Sequence, residues 1–215
     1  MRKLTLIIFF SLFAFNFAFG QDQEKANDKL DKHLVAILDT IFEDDQKVRT
    51  GLGKVISFAE RDLMNIVDSI NTIKVKKILD ERGWLGADVV GNRGNLTLFL
   101  VIQHSDLETQ EKYLPMMQDA VKNGNASPKH LAYLEDRVAL KKGEKQIYGS
   151  QIMYLSETGE AFVRPLIDPE NVDKRRAEIG LGTMQDYLFT NFGLNWDVEE
   201  YKKKLLEYEA NERMK

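Results

Sequence analysis

His104 is the side chain in this sequence best suited to move a proton, because an unperturbed imidazole titrates near neutral pH. A carboxylate orienting its ring, as in hydrolytic triads, would be Asp106 or Asp136. The opposing reading is structural: a histidine that ends a helix and bonds its free carbonyls. Asp106 has a structural alternative too, as an acid in the first turn of the next helix. Glu135-Asp136-Arg137 falls inside a helical pattern, where neighbours diverge by about 100°. Asp136 and Arg137 therefore do not pair with one another. With Leu134 and Val138 inward, Arg137 flanks the core stripe and Asp136 faces away from it. If a hairpin covers that outer face, Asp136 becomes a buried carboxylate that needs a partner. Gln146, Tyr148 and Gln151 surround Gly149. Two amides and a phenol suit a neutral polar ligand such as a peptide or sugar, or they satisfy nearby helix ends.

Other chemistry finds less support. His33, His104 and His130 have no H-x-x-x-H or H-E-x-x-H spacing, so no metal site is expected, and no cofactor. Gly149-Ser150 lacks the G-x-S-x-G form of a nucleophile elbow. Gly91-Asn92-Arg93-Gly94 is too short for a phosphate-binding loop. Asp168, Glu170, Asn171 and Asp173 are oxygen-rich but lack the EF-hand pattern, and helix capping explains them. Arg175-Arg176 has the chemistry to clamp an anion, although such pairs are usually solvated.

The elements that would position these groups read as follows. Leu30, Leu34, Ile37, Leu38 and Ile41 have the spacing of one helix face. Leu63, Ile66, Val67 and Ile70, continuing through Ile73 and Ile78, predict a second helix that stops at Gly83. Gly86, Gly91 and Gly94 predict a loop between Trp84 and Asn95. The apolar run from Leu96 to Ile102 predicts a short helix buried on every side, with a central strand as the alternative. Ser105-Asp106-Leu107-Glu108 has the form of a capping box, and Pro115 is expected to kink or restart the helix it opens. Ser127-Pro128 opens the next helix, with Leu131, Leu134 and Val138 as its core stripe and Gly143 at its end. Gln146 to Leu155 and Ala161 to Ile167 then read as a β-hairpin, with Gln146 and Tyr148 on one face and Gly149 and Gln151 on the other. Gly149 there signals a bulge or a close approach. Asp168-Pro169 starts the first of two or three final helices, the last running from about Asp197. The expected fold is mostly α with one small antiparallel hairpin at about 146–167, an α+β chain with a single compact domain over residues 30–215.

Several of these pieces together resemble a known family. Gly83-Trp84, Gln103-His104-Ser105-Asp106, Leu131 to Arg137, Gln146-Ile147-Tyr148-Gly149-Ser150-Gln151 and Val172 to Arg176 resemble an uncharacterised bacterial family, domain-of-unknown-function family 6624. The likeness covers roughly residues 60–190. Its most specific parts are Gln-His-x-Asp and Gln-x-Tyr-Gly-x-Gln. Alanine often stands in the family where Ser105 is here, so the capping box is no family requirement. The resemblance implies where a site lies and brings no activity with it.

The start of the chain speaks to location. Met1-Arg2-Lys3, an apolar run from Leu4 to Phe19, and small residues at Ala18 and Gly20 predict a signal peptide over residues 1–20. The run holds 16 residues and is interrupted by Asn16, short of the ~20 needed to span a bilayer. Residues 21–29 read as a loose leader. The expectation is a periplasmic or secreted protein with no stable membrane insertion. Losing Arg2 and Lys3 leaves 28 basic against 34 acidic side chains, a net −6, which argues against nucleic acid as a partner. The chain has no cysteine, which excludes disulfides, thiolate metal sites and cysteine nucleophiles. On the sequence alone, a binding module for a small polar ligand or peptide leads, with Gln103, Arg137, Gln146, Tyr148 and Gln151 as its contacts. The alternatives are a metal-independent hydrolase or lyase with His104 as acid/base and Asp136 as a catalytic partner, and a purely structural polar network that serves protein interaction.

Overall fold

The computed structural model describes residues 29–50, 57–154 and 160–213. The predicted signal peptide and all but the end of the predicted leader lie outside these residues. Eight α-helices and one two-stranded antiparallel sheet make a single compact domain among them.

Helix α1 (Lys32–Lys47) is capped by Asp31, whose carboxylate accepts the Leu34 N–H at 3.0 Å. It buries Leu34, Leu38, Ile41 and Asp45, a stripe that is apolar except for its last member. Helix α2 (Phe58–Arg82) begins with a Ser57/Glu60 capping box and ends at Gly83, whose φ of 70° suits glycine. The expected apolar face of α2 is not its buried face. Leu63, Ile66, Ile70 and Ile73 are 48–71% exposed, and the core instead takes Asn71, Val75 and Leu79. The two stripes lie roughly 160° apart around the helix. Periodicity locates an apolar face but not what covers it.

The loop expected between Trp84 and Asn95 is largely helix. Helix α3 (Ala87–His104) runs through it with one break at Gly91, φ 72°. Gly94 marks a close approach: a Cβ there would sit 3.1 Å from Leu38 Cδ1 and 2.9 Å from Val90 Cβ. The second half of α3 is buried almost all round, at Thr97, Leu98, Phe99, Val101, Ile102 and Gln103. Helix α4 (Leu107–Lys122) is capped by Asp106, not by Ser105, whose hydroxyl turns back to donate to the Ile102 carbonyl at 2.7 Å. Pro115 neither ends nor restarts α4, because it lies on the exposed side where the freed carbonyl meets water.

Helix α5 (Pro128–Lys141) packs on α4 and buries Ala132, Leu134, Asp136, Val138 and Leu140. The hairpin is shorter than expected. Among the described residues, β1 (Ile152–Tyr154) and β2 (Ala161–Val163) are the paired strands, with Met153 opposite Phe162, and Gln146 adds one isolated parallel bridge to Leu166. Residues 146–151 form a loop rather than a strand, and Gly149 turns at φ 71° where a Cβ would meet Met184 Sδ at 2.7 Å. The chain closes with a 3₁₀ turn (Pro169–Asn171), α6 (Val172–Glu178), α7 (Met184–Phe192) and α8 (Val198–Arg213). Asp168 does not act as the expected side-chain N-cap, because its φ of 41° turns it away, and its carboxylate accepts from Asn171 and Arg175 instead. One apolar cluster joins α1 to α5, and a second joins the hairpin to α7 and α8.

Candidate active site

His104 is the last residue of α3, and its ring does not bond helix carbonyls. Gln110 takes those of Gln103 and Ser105 at 2.9 and 3.1 Å, and Lys141 reaches the Ser105 carbonyl at 2.9 Å. The imidazole is free to turn toward α1, where Nδ1 lies 2.9 Å from Asp45 Oδ1. An ionised carboxylate only accepts, so this nitrogen carries the proton. Asp45 is 1% exposed and His104 16%. Burial pushes the Asp45 carboxyl up, but the His104 hydrogen bond and charge, then Arg49 and Gln46, outweigh it and hold the group below its ordinary range. Arg49 NH1 lies 3.1 Å from Asp45 Oδ1, and its NH2 donates to Asp68 at 2.6 Å.

The partner of His104 is therefore Asp45, and neither sequence candidate plays that part. Asp106 is committed to the Thr109 N–H at 2.8 Å, capping α4. Asp136 is fully buried and accepts three backbone N–H groups, from Ile147 at 2.6 Å and from Tyr148 and Ser150 at 2.9 Å. Burial pushes its carboxyl up, against the pull of those three bonds.

The 146–151 loop is fastened from its other side as well. Arg175 donates to the Ile147 carbonyl, Arg176 to that of Tyr148, and the Tyr187 hydroxyl to that of Ser150, at 2.7–2.9 Å. Arg175-Arg176 thus clamps main chain. The Gln146 amide is buried and spent inside the loop, bonding Gln151 N–H and the carbonyls of Gln151 and Arg164. The Gln151 side chain donates to Ser150 Oγ at 3.0 Å. The Tyr148 phenol is half-buried and pushed upward by that burial. Gln103 donates to the Tyr133 carbonyl at 3.4 Å, and its buried Oε1 has no partner among the described residues.

A cleft of about 760 Å³ opens beside His104, between α2 and the start of α4, lined among others by Asp68, Ser69, Thr72, Lys76 and Thr109. A smaller cavity of about 290 Å³ lies between β2 and the α7–α8 region, by Trp196 and Tyr201. There Lys204 pairs with both Glu160 and Glu200, at 2.6 and 3.0 Å. Of these two, the larger cleft is the one that His104 lines. One ligand atom each from Asp45, Asp68 and His104 lie within 4.8 Å of one another, the set in this cleft with the donors to hold a metal ion. The Arg49 guanidinium already bridges the two carboxylates.

Sequence reasoning missed Asp45, Arg49 and Asp68. Asp45 had a signal: Leu34, Leu38, Ile41 and Asp45 share one stripe, and a carboxylate stands where the pattern calls for an apolar residue.

The family described as a family of unknown function, DUF6624, matches residues 30–195, and the chain belongs to it. No curated protein and no solved structure matches the chain.

Proposed function

We propose that this member of DUF6624 is an acid/base catalyst, a hydrolase or lyase that needs no metal for its proton transfers. One observation carries the reading: a buried Asp45 carboxylate 2.9 Å from His104 Nδ1, with Nε2 unpartnered among the described residues and the ring lining a cleft. Asp45 fixes the tautomer and balances the imidazolium that forms when Nε2 takes a proton. Arg49 in turn holds Asp45 ionised and in place. Such positioned proton transfer contributes typically ~10²–10⁴-fold in rate. The amide surface that would favour a binding module is consumed inside the 146–151 loop, which tips the balance toward catalysis. For location we keep export as the reading, on the strength of Ala18 and Gly20 before Gln21.

The test is a panel of chromogenic esters, phosphoesters, glycosides and amides turned over by wild type, His104→Asn and Asp45→Asn. Turnover that falls at least 100-fold in His104→Asn at unchanged melting temperature supports the reading. Turnover equal in all three chains, or absent across the panel, counts against it.

A further inference from the structure

Two half-buried arginines, Arg137 and Arg164, each carry an Nε–H that lacks the partner a buried donor normally has. Arg137 Nε and Arg164 Nε are both buried with nothing to donate to. Among the described residues, neither side chain makes a hydrogen bond or an ion pair. Geometry puts Arg137 beside His104. Tyr133, Arg137 and Lys141 follow one another at four-residue steps and share a face of α5. The Tyr133 carbonyl meets Gln103, and the Lys141 amine meets the Ser105 carbonyl. Arg137, between them, faces the turn that carries His104.

Arg164 is tied to the same place through main chain. Its N–H donates to the Gln151 carbonyl at 3.1 Å and its carbonyl accepts from Gln146. That loop is in turn clamped onto Asp136, the neighbour of Arg137. Burial first, and then the charges of Arg49 and Arg164, hold the Arg137 guanidinium below its ordinary range. Arg49 is neutralised by Asp45 and Asp68, but Arg137 and Arg164 have no carboxylate partner among the described residues, and two such charges are a standing cost to the fold unless an anion joins them.

We infer that Arg137 and Arg164 form an oxyanion-binding subsite beside His104, made for a phosphate or carboxylate group. Guanidinium forks match the paired oxygens of both groups. That the bound group belongs to a substrate rests on the catalytic reading above; the subsite itself does not.

The test is titration of the whole chain with inorganic phosphate and, separately, succinate, followed through the arginine Nε–H resonances in NMR. Saturable shifts of Arg137 and Arg164 are expected, weakened at least tenfold in Arg137→Met and in Arg164→Met. Saturation by phosphate alone assigns a phosphoryl group, and saturation by succinate alone assigns a carboxylate. His104→Asn should bind the same anion as wild type even if the catalytic reading fails, which separates the two ideas. Methionine keeps the apolar stem and removes the unpaired charge, so Arg137→Met should melt no lower than wild type. Unsaturated shifts with both anions, or a lowered melting temperature for Arg137→Met, would overturn the subsite.

A second inference rests on a different face. Ala59, Leu63, Ile66, Ile70, Ile73 and Lys77 recur at alternating four- and three-residue steps, the seam of a heptad repeat, on the exposed side of α2. Glu60 and Asp62 flank the early part of that seam, and Lys74 and Lys76 flank the late part. Reversing a second α2 sets Leu63 against Ile73 and Ile66 against Ile70, and brings each acidic end onto a basic end. The structure assigns a second copy of this chain, antiparallel, as the occupant of this stripe, whose late end at Ile73, Lys76 and Lys77 also borders the His104 cleft, so the partner helix would wall that cleft on one side. Sedimentation of the wild-type chain should show a dimer. Ile70→Lys should give a monomer with unchanged helicity. Asp62→Lys should weaken association, and adding Lys76→Asp should restore it. A monomeric wild type, whether its own N-terminal segment or a membrane surface meets the stripe, would overturn the proposal, as would failure of the restoring change.

Discussion

Replacing Asp136 with Ala removes the acceptor for three backbone N–H groups at once, those of Ile147, Tyr148 and Ser150. Each such charge-assisted bond contributes about 1.5–3 kcal/mol, and an orphaned buried N–H costs about 1–3 kcal/mol. Relief of the desolvation of a buried carboxylate offsets part of this, so the expected net loss is about 3–5 kcal/mol. For a chain of this size that lowers the melting temperature by about 6–20 °C. Asp136→Asn keeps an oxygen for Ile147 and Tyr148 but turns an amide donor toward the Ser150 N–H. Its expected cost is smaller, about 1–3 kcal/mol. Urea denaturation gives the ranking of the three chains, and hydrogen exchange reads the three amides directly. They should be the first to lose protection in either variant. A midpoint for Asp136→Ala equal to wild type, or unchanged protection at those amides, would refute the clamp.

Leu134 is fully buried, so Leu134→Ala should cost ~2–5 kcal/mol in denaturant titration, while Leu100→Ala, only half-buried, should cost less. Gly149→Ala should destabilise more than Gly83→Ala: both positions have φ near 70°, but only at Gly149 does the new Cβ meet another side chain, Met184 Sδ at 2.7 Å. Equal melting temperatures for the two would contradict that ranking. Burial, with the neighbouring Tyr133, pushes the Tyr187 hydroxyl up to about 12. The folded chain therefore keeps a proton that the unfolded chain releases near pH 10. The stability this contributes is complete below pH ~10 and lost as pH climbs through about 12. Denaturation across that range should show the decline in wild type and less of it in Tyr187→Phe.

Local signals were the legible ones. Gly83 stops α2 and Pro128 opens α5 because capping depends on a few adjacent residues. The glycines between Trp84 and Asn95 misled, since one of them breaks a helix and another admits Leu38 against its backbone. Telling such a glycine from a loop glycine needs the neighbour in view. Residues 146–151 have the residue types of a strand, yet Asp136 gathers the backbone N–H groups of Ile147, Tyr148 and Ser150 into a loop by bonds made across ten or more residues. At the site, His104 was legible from its chemistry alone. Its partner was not, because 59 residues separate it from Asp45 and only the fold joins them. Asp45 stood on an apolar stripe, and that single polar intrusion was the trace it left.

The pairing of His104 with Asp45 is tested most directly by long-range ¹H–¹⁵N NMR of the His104 ring at a pH where it is neutral. The pairing requires the proton on Nδ1 and an acceptor at Nε2, with that preference lost in Asp45→Asn. A ring protonated at Nε2 in the wild-type chain, or a tautomer unchanged in Asp45→Asn, would contradict it.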